Sequence, residues 1–327
     1  MGYFLLEKIK EQGGKKDMTH KLSSLFSVLF GLMLFWANAN AELPENVKFC
    51  IPKQYRVTYD CPAGGNAPTQ QSTAYGNNFT NGVGCNNAPA WRVGDSDTII
   101  TSNTTITYAY THDILLHADY SPWYTIAGGK LINADPDVYI QSSGEQLIRT
   151  NVVPANNVGV KTHFAYIQLT ELASPIFATY SPHFYCGTNN GVTLFTCGYG
   201  PGSGYSNPVL SVNELVMNHK YTLMFNYNNS GYIIFDDVVR NINYFDFDGN
   251  DKNITLLHPS SDTKTIAKLY DITISRSNDI IRTMVPVPAG LRIGDYTVPS
   301  NGMWDMMEQK FHQNSGTSEF IYGRESE

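Results

Sequence analysis

Residues 268–294 read KLYDITISRSNDIIRTMVPVPAGLRIG, and apolar and polar side chains alternate along this stretch. A period of two is typical of a β-strand that buries one face. Leu269, Ile272 and Ile274 form the expected inward set, and the spacing between the first two requires a bulge or slip. The stretch therefore predicts β-strands and not a helix.

Similar short β-type segments follow one another through residues 137–327. Many short strands without long helices predict a sandwich or a barrel. A chain of ~190 residues can fill one large sandwich core. We therefore expect a mainly all-β protein.

The first 41 residues have the features of a signal peptide. A lysine-rich start precedes an apolar run over residues 22–36, and Ala39 and Ala41 have the small-x-small spacing of a cleavage site. The run is shorter than the ~20 apolar residues of a membrane span. We predict cleavage after Ala41, with Met1 or Met18 as the start, and a periplasmic, cell-surface or secreted product.

The formal net charge of −7 makes nucleic acid an unfavourable partner. In an oxidising compartment disulfides are the default state of cysteine. We predict bridges between Cys61 and Cys85 and between Cys186 and Cys197. A four-residue loop from 190 to 193 would bring the second pair into register, whereas a two-residue Asn-Gly turn would not. Cys50 is left over, either as a free thiol or as a cross-link to another chain.

Residues 43–120 read as a separate small β-rich unit, and residues 121–136, which contain two Gly and two Pro, read as a linker. Within the first unit, "YRVTYDC" at 55–61, "AYGNNFT" at 74–80, "WRV" at 91–93 and "TYAYTHDILLHADY" at 107–120 resemble the internalin-type B repeat of bacterial surface proteins. That resemblance implies a β-grasp-like fold. The segment before Trp91 lacks the Phe-x-Gly that is common in the family.

Three segments of the second unit, residues 137–327, resemble bacterial laminin-G-like, concanavalin A-like sandwich domains (jelly rolls). They are "VYIQSSGEQLIRTNVVP" at 138–154, the stretch at 268–294 and "GMWDMMEQKFHQNSGTSEFIYG" at 302–323. Met284 and Ser318 depart from the family pattern. The resemblance implies a domain that binds carbohydrate or protein, in a fold that also hosts glucanases.

No catalytic motif is recognisable. The Glu-x-Asp-x-Glu triplet of retaining glucanases of this fold is absent. Asp246 and Asp248 occupy calcium-loop positions, but Asp251 and Leu257 stand where that loop needs Gly and Glu. We predict a hairpin there, no metal ligands and no cofactor, with a looser Ca²⁺ site as the alternative. The histidines are scattered, and none lies in a Gly-x-Ser-x-Gly motif.

The loop at 198–208 is the predicted binding surface, because Tyr199 and Tyr205 could place aromatic faces against a sugar or a partner side chain. In the closing stretch we expect Trp304 to be an apolar plug, and we expect Asp305 and Glu308 to lack partners that make an acid–base pair.

The sequence thus predicts a recognition or adhesion protein that binds an extracellular glycan or protein ligand without catalysis. The alternatives are a glycoside hydrolase whose carboxylates converge from separate strands, and a structural envelope protein.

Overall fold

The computed structural model describes residues 54–74, 78–79, 84–96, 98–100, 104–105, 113–179, 183–189, 191–200, 206–236, 238–242, 252–257 and 263–326. Lys53–Glu327 form one compact unit. Within the described residues nearly all regular structure is β, and the helices are single 3₁₀ turns at Ser121–Trp123, Val212–Glu214 and Tyr227–Asn229. The predicted all-β class is confirmed. The predicted signal peptide and Cys50 lie outside the described residues.

The strands are numbered in chain order. They are β1 (Gln54–Asp60), β2 (Gln71–Ala74), β3 (Asn78–Phe79), β4 (Ala90–Val93), β5 (Ile99–Ile100), β6 (Thr104–Thr105), β7 (Ile114–Asp119), β8 (Tyr124–Ala127), β9 (Lys130–Ala134), β10 (Val138–Gln141), β11 (Ile148–Arg149), β12 (Val158–Gln168), β13 (Ser174–Thr179), β14 (His183–Thr188), β15 (Leu194–Gly200), β16 (Ser206–Ser211), β17 (Tyr221–Phe225), β18 (Tyr232–Phe235), β19 (Val238–Asn241), β20 (Thr255–Leu256), β21 (Ile266–Arg276), β22 (Asp279–Val287), β23 (Arg292–Ile293), β24 (Tyr296–Thr297), β25 (Gly302–Asp305), β26 (Lys310–His312) and β27 (Ile321–Arg324).

The N-terminal part is a mixed sheet in the order β2-β1-β7-β4-β5. β1 and β7 run parallel, and the other pairs are antiparallel. Tyr55, Val57 and Trp91 are buried on this sheet, as the alternation in β1 requires. The described segments therefore fold as strands where the sequence predicted a small β-rich unit.

The predicted linker, residues 121–136, is itself folded. A 3₁₀ turn leads into the β8–β9 hairpin. The Tyr124 hydroxyl donates to the Pro286 carbonyl at 2.8 Å and lies 2.7 Å from the Tyr322 hydroxyl. Trp123 packs against the ring of Tyr322, with 6.1 Å between centroids. The segment is fastened to the strands of residues 137–327. The predicted domain boundaries stay predictions.

Within the described part of residues 137–327, the strands form two large antiparallel sheets and the small β23–β24 hairpin. The first has the path β19-β18-β17-β12-β21-β22-β25-β26, with β10 joining β21 to β27, and the second has the order β11-β20-β13-β14-β15-β16. Phe164 and Phe195 stack across the sheets at 6.1 Å, and Phe184 and Phe225 meet edge to face at 5.2 Å. Because rings from both sheets meet in one buried cluster, the architecture is a β-sandwich.

The alternating stretch at 268–294 folds as predicted, into β21 and β22. Leu269, Ile272 and Ile274 are fully buried on β21. The register with β12 shifts at Tyr270, because His163 pairs with Asp271 while Phe164 pairs with Leu269. The expected bulge between Leu269 and Ile272 is confirmed.

Both predicted disulfides are present. Cys61 is bonded to Cys85 and Cys186 to Cys197, with Cα–Cα distances of 5.0 and 4.1 Å. On β14 and β15 the second pair lies directly opposite. The loop at 190–193 therefore has the length that the register required.

Candidate binding groove and a buried ligand cluster

A groove of about 610 Å³ lies between the disulfide-tied loop after β1 and one end of the sandwich. Its lining comes from residues 62–65, 86, 289, 299–301 and 319–321. A volume of this size is within the range of ligand sites in proteins. Residues from three distant parts of the chain must be held together to form it.

Asn301 holds those parts together. Its side chain is buried, and its amide nitrogen donates to the carbonyls of Ala63 at 3.1 Å and Phe320 at 2.8 Å. Its amide oxygen accepts from the backbone N–H of Ala289 at 3.0 Å. One amide group thus satisfies three backbone groups that line the groove. These hydrogen bonds hold the lining of the groove in place without a bound ligand.

The loop at 62–65 is stiffened from its other side. Cys61 is tied to Cys85, and the Tyr120 hydroxyl donates to the Cys85 carbonyl at 2.6 Å. Gly64 and Gly65 have φ of +85° and +88°, which favour glycine. A Cβ on Gly65 would also come within 2.6 Å of Asn86. The loop therefore has little freedom to collapse into the groove.

The groove surface is mainly apolar. Pro62, Pro299 and Ile321 line it, and Ile321 is 50% exposed. Glu319 is the charged residue of this lining. An exposed apolar side chain beside a carboxylate suits a ligand that is partly apolar and carries a positive charge.

A smaller polar cleft of about 190 Å³ lies beside the groove and shares Pro62 with it. Two of the carboxylates in its lining face basic partners. Asp60 is 2.8 Å from His117 Nδ1, and Asp119 is ion-paired with Arg92. These pairs fix side chains of β1, β4 and β7 in the lining of the cleft.

A second polar cluster lies where β25 and β26 meet. Asp305 ends β25, His312 ends β26, and Glu308 lies in the turn between them; one potential ligand atom of each lies within 4.8 Å of the others. Arg282 on β22 reaches both carboxylates, with Nε 3.3 Å from Asp305 Oδ2 and one Nη 2.7 Å from Glu308 Oε1. We expected the two acids to lack acid–base partners. In the structure they share a guanidinium, which stays protonated, and lie beside an imidazole, because the hairpin folds against β22. The expectation stays a prediction.

The sequence-predicted binding residues are not brought to the groove by anything that the structure describes. Tyr199 lies on β15, opposite Phe184, and Tyr205 lies outside the described residues. Asp246 and Asp248 also lie outside them. Tyr199 and Tyr205 stay predictions.

Besides His117, two more of the described histidines have carboxylate partners. His163 Nδ1 is 2.7 Å from Asp271, and His219 Nε2 is 3.2 Å from Asp236. Trp304 is buried, as expected of an apolar plug. Sequence reasoning missed both the groove and the cluster of Asp305, Glu308 and His312. The cluster carried a signal, since its three members fall within eight residues.

No protein-family model matches this chain, and no curated protein matches it. In the part of the chain that the structure describes, no helix has the length and apolar character that crossing a membrane would require.

Proposed function

We propose that this protein is an exported recognition or adhesion protein that holds a protein ligand in the groove beside Asn301 without transforming it. The observation that carries the proposal is the groove itself, whose three walls are joined by one buried amide. A preformed site binds without the cost of ordering its own walls. The two disulfides fit an oxidising compartment such as the periplasm or the cell exterior.

The groove chemistry favours a protein segment over a sugar. Small side chains, prolines and Ile321 offer contact to apolar side chains, and Glu319 offers contact to a Lys, an Arg or a free amine. Sugar sites commonly combine an aromatic face with several polar side chains. Among the described lining residues the aromatic one is Phe320, and it is buried. An extended, partly basic segment is the ligand that this surface supports best.

A glycan ligand is the second candidate, and it rests on Tyr199 and Tyr205. The strand that carries Tyr199, β15, is tied to β14 by the Cys186–Cys197 bridge two residues before Tyr199. Loss of glycan binding in Tyr199→Ala or Tyr205→Ala would support this candidate in place of the groove.

The test is a parallel screen of peptide and glycan arrays with the full chain and two matched variants. Ile321→Glu places a charge in the groove, and Ile132→Glu places the same charge at a comparably exposed site on β9. We expect peptide binding that Ile321→Glu abolishes and Ile132→Glu preserves. Equal binding by both variants would place the ligand elsewhere.

Catalysis is tested with a polysaccharide panel. Release of reducing sugar would favour the hydrolase alternative, in which carboxylates from separate strands act as a pair. Arg282 already bridges Asp305 and Glu308 in a salt-bridge network, so we expect no release from that pair. Silence in both the arrays and the sugar assay would favour a structural envelope protein.

A further inference from the structure

The cluster of Asp305, Glu308 and His312 offers the three donors of a metal site on one short hairpin. The strand register places Asp305 opposite Lys310 and His312 opposite Met303, so Asp305 and His312 are diagonal neighbours on one face of the sheet. Glu308 in the connecting turn reaches the same point. The hairpin thus brings two carboxylates and an imidazole together without help from a distant loop.

His312 is already oriented as a metal ligand would be. Its Nδ1 lies 2.9 Å from the Arg149 carbonyl, which can only accept, so Nδ1 carries the hydrogen. Its Nε2 is buried and has no hydrogen-bond partner, and the side chain is 5% exposed. A ligating histidine typically donates its other ring N–H to a carbonyl in this way. An unpartnered buried acceptor is costly unless something occupies it.

The carboxylate of Asp305 also has one oxygen fixed by a hydrogen bond and one oxygen without a hydrogen-bond partner. Its Oδ1 accepts from the backbone N–H of Met307 at 2.9 Å, and its fully buried Oδ2 faces Arg282 without a well-aligned hydrogen bond. Arg282 also donates to the Ile281 carbonyl at 2.7 Å. The guanidinium therefore keeps a backbone partner if it withdraws from the carboxylates.

We propose that Asp305, Glu308 and His312 bind a divalent transition-metal ion of the Zn²⁺ class, in competition with Arg282. An imidazole nitrogen beside two carboxylates suits such ions better than it suits Ca²⁺ or Mg²⁺. Ligand bonds of about 2.0–2.2 Å bring tetrahedral donors closer together than the 4.8 Å within which these three donor atoms lie. Glu308 is exposed in a turn and can make that movement.

The ion fastens the β25–β26 hairpin by joining its two strands and its turn. Three protein donors leave a coordination position of a tetrahedral ion for water or for an external ligand. Because the cluster is not part of the groove lining, metal binding and groove binding are separable properties.

The experiment titrates Zn²⁺ into the untagged, chelator-treated full chain by calorimetry, with Co²⁺ absorption to report the ligand geometry. We expect one ion per chain. His312→Asn and Glu308→Gln should each weaken Zn²⁺ binding by at least the ~10- to 100-fold that loss of an outer partner alone causes. His163→Asn, which alters a histidine paired with Asp271 elsewhere on the sheet, is the matched control and should bind as the unaltered chain does.

Arg282→Gln is expected to change the Zn²⁺ affinity in the opposite direction. Removal of the competing guanidinium should tighten Zn²⁺ binding, whereas a purely structural cluster would only lose stability. Glu308→Gln keeps the test decisive if His312→Asn does not fold, because Glu308 lies in an exposed turn. Absence of Zn²⁺ binding, affinity unchanged in Glu308→Gln and His312→Asn, or preference for Ca²⁺ over Zn²⁺ would each overturn the proposal.

Discussion

Asn301→Ala is expected to destabilise the protein and open the groove at the same time. The substitution removes three hydrogen bonds, to Ala289, Ala63 and Phe320, and leaves those buried backbone groups unpaired. At ~1 kcal/mol for each bond, the free energy of unfolding should fall by about 3 kcal/mol. Urea unfolding followed by fluorescence measures the change, and the neighbouring Ser300→Ala should stay within ~0.5 kcal/mol of the unaltered protein.

Asn301→Asp sharpens this prediction. The carboxylate keeps the acceptor for the Ala289 N–H but turns its second oxygen toward the carbonyls of Ala63 and Phe320, which have lost their donor. A buried charge without a partner costs more than a missing side chain, so Asn301→Asp should be less stable than Asn301→Ala at neutral pH. An Asn301→Ala variant that unfolds within ~1 kcal/mol of the unaltered protein, or an aspartate variant that is the more stable of the two, would contradict these expectations.

Three further predictions rest on other contacts. Burial raises the pKa values of Tyr124 and Tyr322 well above the usual range, so the contribution of these groups to stability is complete below about pH 10 and is lost as the pH rises toward their folded-state pKa values. Tyrosinate absorption should show that these rings ionise only when the protein unfolds, and ionisation before unfolding would contradict this. Replacing both cysteines of the Cys186–Cys197 bridge with serine should lower the free energy of unfolding in urea by ~2.8 kcal/mol. The same change at the Cys61–Cys85 bridge should lower it by ~3.5 kcal/mol, because this bridge closes the longer loop. A larger loss at Cys186–Cys197 would contradict this dependence on loop length. The intact mass of the protein recovered after expression should correspond to cleavage after Ala41, and a mass that retains the apolar run would rule that site out.

The sequence predicted those features whose cause is local. Alternation on β21 identified Leu269, Ile272 and Ile274 and even required the bulge, because strand periodicity is written in neighbouring residues. The predicted bridge between Cys186 and Cys197 needed only a single turn of four residues to come into register. Such features need no knowledge of distant partners.

The groove could not be predicted in this way. Asn301 donates a hydrogen bond to the carbonyl of Ala63, which lies 238 positions away in sequence, and no motif near either residue predicts this contact. The donor cluster is an intermediate case. Asp305, Glu308 and His312 stand close in sequence, but the Arg149 carbonyl that orients the imidazole and the Arg282 guanidinium that competes for the carboxylates come from other strands. Sequence could suggest the donors and not their arrangement.

The most direct test of the groove as the binding site is where on the chain the ligand binds. Hydrogen exchange of the full chain, measured with and without the tightest peptide from the array, reports which backbone amides the ligand protects. We predict slowed exchange at 63–65, 300–301 and 319–321. Protection confined to 198–208, or a bound sugar that is cleaved during the measurement, would contradict a non-catalytic groove beside Asn301.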